Sequence, residues 1–333
     1  MARAWYFKAN PEALPTLDHV ELKDMPPQEL TGGQIRVRNA YLSVDPYMRG
    51  RMTTAKSYVE GFKVGEPMSG GAVGEVIESK ADGFAVGDKV LHMNGWRDEA
   101  VVDANAGMAG AQKLPDLGVP IQTWLHNLGL TGATAYFGLL KVAEAKAGET
   151  VFVSAAAGAV GSAVVQIARE KGMTVIGSAG GADKCAWVKE LGAAECIDYK
   201  AGPVLPQLFK LAPNGIDVYF DNVGGEHLDA AFAVANNFAR FAICGMIDRY
   251  NDATRGTQFN YLIRTIPARI RMQGFIYTDY LAHMAEFMAE MGPWVASGKV
   301  TVKETVHEGI DTTFDAFLGL FAGSNTGKML VKI

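Results

Sequence analysis

The chain has 333 residues, 49% apolar and 20% charged, the composition of a folded globular protein of about two domains and not of a disordered one. A formal net charge of −5 excludes a generally basic surface that would coat nucleic acid. Three scattered cysteines, Cys185, Cys196 and Cys244, exclude a disulfide scaffold and fit a reducing, cytoplasmic compartment.

The first 127 residues read as β-rich. Gln34 to Leu42 alternates polar and apolar side chains as a half-buried strand does, and Gly70 to Glu78 and Gly87 to His92 follow between glycine-rich turns. Short strands at this spacing predict a small barrel. The first eight residues lack the apolar core of a signal peptide.

Near Leu130 the texture changes, with a helix predicted over Thr131 to Leu140 and alternating strands and helices after it. Strands are expected at Thr150 to Ser154, Thr174 to Gly177, Glu195 to Asp198, Gly215 to Asp221, Arg240 to Cys244 and Arg271 to Ile276. Helices are expected at Ala159 to Lys171, Asp183 to Leu191, Glu226 to Ala235 and Leu281 to Ser297. This alternation predicts a doubly wound parallel sheet. Lys299 to Lys303 and Lys328 to Val331 return to strand texture, so the tail is expected to rejoin the first domain. Val151 to Ala168 is free of charge over 18 residues. Alanine, glycine, Gln166 and the near-absence of Leu and Phe make it a strand, turn and packed helix, not a membrane span.

The turn itself, Ala156-Ala157-Gly158-Ala159-Val160-Gly161, follows a β-branched strand and opens a helix. Small residues there let backbone N–H groups approach a pyrophosphate, which the helix N-terminus attracts. Ala156 stands where the usual first glycine of G-x-G-x-x-G would be. The second strand ends in Ser178-Ala179-Gly180-Gly181, with no carboxylate to accept from a ribose 2′-hydroxyl. Ser178 and Lys184 are suited instead to a 2′-phosphate, which favours NADPH/NADP; the alternative for Lys184 is a solvated position in the first turn of the next helix.

With these residues in hand, the chain resembles the zinc-independent branch of the medium-chain dehydrogenase/reductases. It is most similar to the prostaglandin reductase, leukotriene hydroxydehydrogenase and alkenal double-bond reductase group, which includes bacterial curcumin reductases. The matching segments are Leu42 to Met52, Ala155 to Ser162, Tyr219-Phe220-Asp221-Asn222-Val223-Gly224-Gly225, Cys244-Gly245-Met246-Ile247 leading to Tyr250-Asn251, and Asn325-Thr326-Gly327-Lys328. The resemblance implies a GroES-like β-barrel domain over 1–127 and 299–333, a Rossmann domain over 128–298, NADPH and a homodimer. It also implies cofactor contacts at Ala156 to Gly161, Lys184, Tyr199, Asn222, Cys244, Gly245, Phe275, Ile276 and Asn325. Where some relatives carry a tyrosine after the sixth strand, this chain has Thr278.

Counting excludes zinc, because three isolated cysteines and six unclustered histidines supply neither a structural nor a catalytic ligand set. Without a metal to polarise an alcohol, the expected chemistry is hydride addition to the β-carbon of a hydrophobic α,β-unsaturated ketone or aldehyde. The enolate oxygen then needs a hydrogen-bond donor, for which a neutral phenol serves. Tyr47 and Tyr250, at family positions on loops facing the cleft, are the candidates, with Tyr58 a weaker third. Tyr47 also reads as a packed aromatic of an Asp-Pro turn. The alternatives are a quinone reductase on the same scaffold and a non-catalytic dinucleotide-binding protein. Arg264, Arg269 and Arg271 form the one basic cluster, either a phosphate contact or a solvated face.

Overall fold

The computed structural model describes residues 1–107, 110–252, 256 and 258–333. The chain divides into two compact units. The first comprises Met1–Leu125, Glu304–Asn325 and Met329–Ile333, and the second His126–Lys303 with Thr326–Lys328.

The first unit opens with an antiparallel pair, β1 (Arg3–Phe7) and β2 (Val20–Asp24). The long β3 (Gln34–Ser43) buries Ile35, Val37 and Leu42. The single turn α1 (Met48–Arg51) follows it, and then come β4 (Ala72–Ser79), β5 (Lys89–His92), β6 (Glu99–Asp103) and the two-residue β7 (Gln112–Lys113). Register shifts at Arg36/Val37 and Asn39/Tyr41 bend β3 against β4, and such bulges curl a sheet around its own core.

The second unit begins with α2 (Leu130–Phe137), which runs into a π-helical turn over Gly138–Val142. From there the chain alternates: β8 (Thr150–Val153), α3 (Ala159–Glu170), β9 (Thr174–Ala179), α4 (Ala182–Glu190), β10 (Glu195–Asp198), α5 (Val204–Leu211), β11 (Ile216–Asp221), α6 (Gly225–Val234), β12 (Ala235–Ile243), α7 (Thr265–Ala268), β13 (Arg271–Gly274) and α8 (Met284–Ala296). The six strands are parallel in the order β10-β9-β8-β11-β12-β13. The order reverses between β8 and β11, and ligands of such sheets bind beyond the strand ends at that point. Phe152, Ile176, Ile197, Tyr219, Phe232 and Phe241 form its core. The uncharged stretch from Val151 to Ala168 is thus β8, the turn and most of α3. Among the described residues no helix is long and apolar enough to cross a membrane.

The chain then returns to the first unit as β14 (Glu304–Glu308), α9 (Thr313–Ala322) and β15 (Lys328–Lys332), completing a sheet in the order β14-β15-β3-β4-β5-β7 with β6 also on β3. Phe314 and Phe317 of α9 pack with Trp5, Leu42 and Trp96. The strand expected over 299–303 is not formed. There the Gln166 side chain takes both backbone groups of Thr301, accepting from its N–H and donating to its carbonyl at 2.8 Å each, so no neighbouring strand can use them.

Candidate functional site

The β8–α3 turn is built from backbone. Ala155 has φ +48°, Gly158 N donates to the Ala155 carbonyl at 2.9 Å and Ala156 N donates to the Ser178 carbonyl at 2.8 Å. A Cβ at Gly161 would lie 2.2 Å from the Ala155 oxygen, so only glycine lets the first turn of α3 seat against the loop. Gly158, Ala159 and Val160 stay partly accessible, and the first turn of α3 holds no acidic side chain. Its N–H groups and positive dipole end therefore suit an anion. Gly327 N donates to the Ala157 carbonyl at 2.7 Å, which places the Thr326–Lys328 segment alongside. Asn325, just before it, is partly buried in the loop after α9.

At the end of β9 the means are different. Ser178 is fully buried, and its hydroxyl pairs with His227 Nε2 at 2.9 Å, so it supports the loop from beneath. The His227 ring meets Tyr199 edge-on at 5.6 Å and is pushed down to about 4 by burial. Tyr199 Oη and Lys200 Cε lie 2.6 and 3.1 Å from the Cβ position of Gly180, over the glycine pair. Burial and the neighbouring Lys200 ammonium both lower the Lys184 pKa. Lys200 thus lies beside a phenol that burial keeps protonated, with the Lys184 ammonium close enough to sense it. The Asp198 carboxylate takes the backbone N–H groups of Gly181 and Lys200 at 2.8 and 2.9 Å. The donor set fits a phosphate.

Beyond β11, Asn222 is anchored by its side-chain amide on the Ser154 carbonyl at 2.8 Å. Asp221 fastens the turn. Its Oδ1 accepts from Tyr219, Ser154, Val223 N and Gly224 N at 2.6 to 3.1 Å. Burial raises its pKa nonetheless, and Oδ2 is buried with no hydrogen-bond partner among the described residues. Cys244 N and Gly245 N donate to the Asp221 carbonyl at 2.9 and 3.1 Å, and burial and Asp221 push the Cys244 thiol up to about 12. Tyr250 follows a short 3₁₀ turn, Ile247–Arg249, and its Oη stands 2.8 Å from the Cβ position of Gly245, near the Asn222 carbonyl. A side chain at Gly245 would displace that phenol. The structure therefore brings Asn222, Cys244, Gly245 and Tyr250 together. Phe275 is core, edge-on to Phe220 at 6.0 Å, while Ile276 just after it is partly exposed.

Tyr47 belongs to the first unit, as the residue that opens α1. The basic cluster is structural: Arg271 pairs with Glu144 at 2.7 Å, Arg264 donates to the Ala235 carbonyl at 3.1 Å, and Arg269 lies over Phe238. Sequence reasoning missed Lys200, His227 and Asp221. Lys200 adjoins Tyr199 in the chain and was within reach of it; the His227 contacts span 49 and 28 positions and leave no local signal.

Comparison with known proteins gives a consistent picture. Residues 3–109 match a family described as the N-terminal domain of oxidoreductase, and residues 159–295 one described as zinc-binding dehydrogenase. The NADPH-dependent curcumin reductase of Escherichia coli is 39% identical over 341 residues, spanning 99% of this chain and 96% of that protein. The NADP-dependent 2-alkenal reductase of Nicotiana tabacum is 41% identical over 301 residues, spanning 89% and 86%. Among solved structures, CurA from Vibrio vulnificus in complex with NADPH superposes with a TM-score of 0.92 at 40% identity, covering 99% of this chain and 98% of that one. Among the described residues no three His, Cys, Asp or Glu side chains are placed to hold a metal ion.

Proposed function

This chain belongs to the zinc-independent medium-chain dehydrogenase/reductases, in the group of the prostaglandin, curcumin and alkenal reductases, and from that premise we propose that it reduces the C=C bond of hydrophobic α,β-unsaturated ketones and aldehydes. It is an NADP-dependent oxidoreductase. The residues present fit that cofactor: the α3 N-terminus and the Ala156–Gly161 turn would hold the pyrophosphate. Lys184, Lys200 and Tyr199 would hold the 2′-phosphate, and Asn222, Cys244, Gly245 and Tyr250 would line the nicotinamide end.

When bound, NADPH supplies the hydride. The chain must then stabilise negative charge on the substrate carbonyl oxygen and deliver a proton to the α-carbon. Neutral phenols do both, donating a hydrogen bond to the oxygen as charge develops and then giving up the proton. Tyr250 and Tyr47 take this role. The observation that carries the reading is the Tyr250 hydroxyl set against Gly245 beside Asn222, at the carboxyl end of the sheet. Mixing the protein with NADPH and a panel of enones, alkenals and quinones, with loss of nicotinamide absorbance and product masses followed, tests it. Saturated ketone products from the enones are expected; turnover of quinones alone would overturn the substrate class.

The finer assembly belongs to the same reading: a homodimer through β13. That strand is the sheet edge, all four of its residues are exposed, and Met272 (50%), Ile263 (67%) and Ile266 (71%) stand open around it. An open edge with apolar flanks is satisfied by the same edge of a second copy about a two-fold axis. Met272→Lys should turn a dimer into a monomer in sedimentation; a monomeric parent protein refutes it.

A further inference from the structure

Gln166 is a buried polar residue of α3 whose amide reaches a segment far along the chain. Its Oε1 accepts from Thr301 N at 2.8 Å. Its Nε2 donates to the Thr301 carbonyl at 2.8 Å and to the Ser162 carbonyl, one turn earlier in α3, at 3.0 Å. An amide that pairs with both backbone groups of one residue takes the place of a neighbouring strand. One turn later in α3, Arg169 Nη2 donates to the Lys299 carbonyl at 2.7 Å. Residues 299–303 therefore form a strap that runs along α3 from its last turn toward its first. The strap is also tied at its start, where Lys299 N and Val300 N donate to the Trp294 carbonyl at 2.8 and 3.0 Å.

The far end of the strap meets the β8–α3 turn through one intermediary. The Lys303 carbonyl accepts from Lys328 N at 2.9 Å, and Gly327 N donates to the Ala157 carbonyl at 2.7 Å. Gly327 has φ +69°, and a Cβ there would lie 1.9 Å from the Lys303 oxygen, so the two segments touch backbone to backbone. The Lys303 ammonium is engaged elsewhere, 5.2 Å over the Trp187 ring. Within the turn, Gly158 N takes the Ala155 carbonyl at 2.9 Å. Two carbonyls of the turn are thus paired, and the Ala157 pairing comes from outside it. A carbonyl freed there would add negative partial charge close to where the α3 dipole draws an anion, and so oppose binding.

We propose that Gln166 is a positioning residue for the cofactor. It fastens the strap to α3, the strap seats Gly327, and Gly327 keeps the Ala157 carbonyl paired and the turn in shape for the pyrophosphate. The proposal rests on the reading of this turn as the pyrophosphate site. Gln166 is buried within α3 and acts only through these residues. Its effect must therefore fall on every dinucleotide with a pyrophosphate, with or without a 2′-phosphate.

The test is fluorescence titration with NADPH and with NADH, read beside the melting temperature and the kinetics with an enone. Gln166→Met keeps the length of the side chain and removes both hydrogen-bonding ends. It should weaken NADPH and NADH alike, about fivefold, as the loss of one net hydrogen bond would. The KM for NADPH should rise by a similar factor while kcat at saturating NADPH falls much less. Thr301→Pro removes the N–H that Gln166 accepts and leaves α3 untouched. It should give the same pattern, and it decides the matter if Gln166→Met does not fold. The double variant should lose little more than either single one, because both cut the same link. A folded Gln166→Met that binds both cofactors like the parent overturns the proposal and leaves Gln166 a structural brace. A loss confined to NADPH also overturns it, because the effect would then run through the 2′-phosphate turn. If Gly161→Ala binds both cofactors like the parent, the reading of the turn itself fails.

Discussion

Two turns at neighbouring strand ends of the second unit prepare for phosphate by opposite means. The β8–α3 turn has no charged side chain. It relies on backbone N–H groups, a helix dipole and a fit so close that Gly161 has no room for a Cβ. The β9–α4 turn is small only to clear space, which Tyr199 and Lys200 reach from the segment after β10, while Lys184 on α4 senses the Lys200 charge. The first arrangement acts mainly by shape and by short backbone hydrogen bonds, so salt weakens it less. The second acts by charge, so it tolerates changes of shape and is screened by ions. The cofactor's two phosphate groups are therefore expected to respond differently to mutation.

The largest effect should come from the shape side. Gly161→Ala drives a methyl into the Ala155 carbonyl, where the neighbour is backbone and cannot swing away. Overpacking of this kind costs about 1–3 kcal/mol, and displacement of α3 should remove measurable NADPH and NADH binding alike. Thermal melting and cofactor titration read both consequences; a variant that melts and binds like the parent breaks the comparison on its steric side. On the charge side, Lys184→Ala and Lys200→Ala should each weaken NADPH about tenfold or more, a charged hydrogen bond being worth about 1.5–3 kcal/mol. NADH should be nearly untouched, and the gap between the two cofactors should narrow as salt rises. Equal losses for NADPH and NADH would show that the lysines do not read the 2′-phosphate.

The difference between the turns also governs how much of the site the sequence reveals. The β8–α3 turn is contiguous and its spacing is dictated by sterics, so it stands out in the chain from Val151 to Ser162. The strand and helix order of the Rossmann sheet is legible for the same reason, since each element carries its own period and stop. Lys200 and His227 are not, because their roles arise from contacts between segments far apart in the chain. His227 reads as an ordinary core histidine until Ser178 and Tyr199 are seen on either side of it. Ser178 reads as a phosphate ligand until its burial is seen. The misplaced tail strand has a similar cause. Residues 299–303 have strand texture, but the side chain of Gln166, more than a hundred positions away, uses the Thr301 backbone groups a ladder would need.

The subtlest test concerns what lies under the charged turn. His227 titrates normally at 6.5 but is held down to about 4 when buried. The unfolded chain therefore takes up a proton through the upper value while the folded one does not, so folding is favoured fully above it and loses stability as pH falls toward the lower one. Between about pH 7 and about pH 5 that loss is about 2 kcal/mol, at roughly 1.4 kcal/mol per unit. His92, buried in the first unit and lowered to about 3, adds a similar loss to any whole-protein measurement. The informative quantity is thus the difference made by His227→Asn, which keeps a polar partner for Ser178 but does not titrate. Denaturant midpoints at the two pH values should lie closer together in this variant than in the parent. Its NADPH affinity should fall severalfold while kcat with an enone holds, because Tyr199 has lost the ring that backs it. If kcat falls and NADPH affinity holds, His227 does not support the charged turn. If the midpoints separate as in the parent, the acid loss belongs to His92 alone.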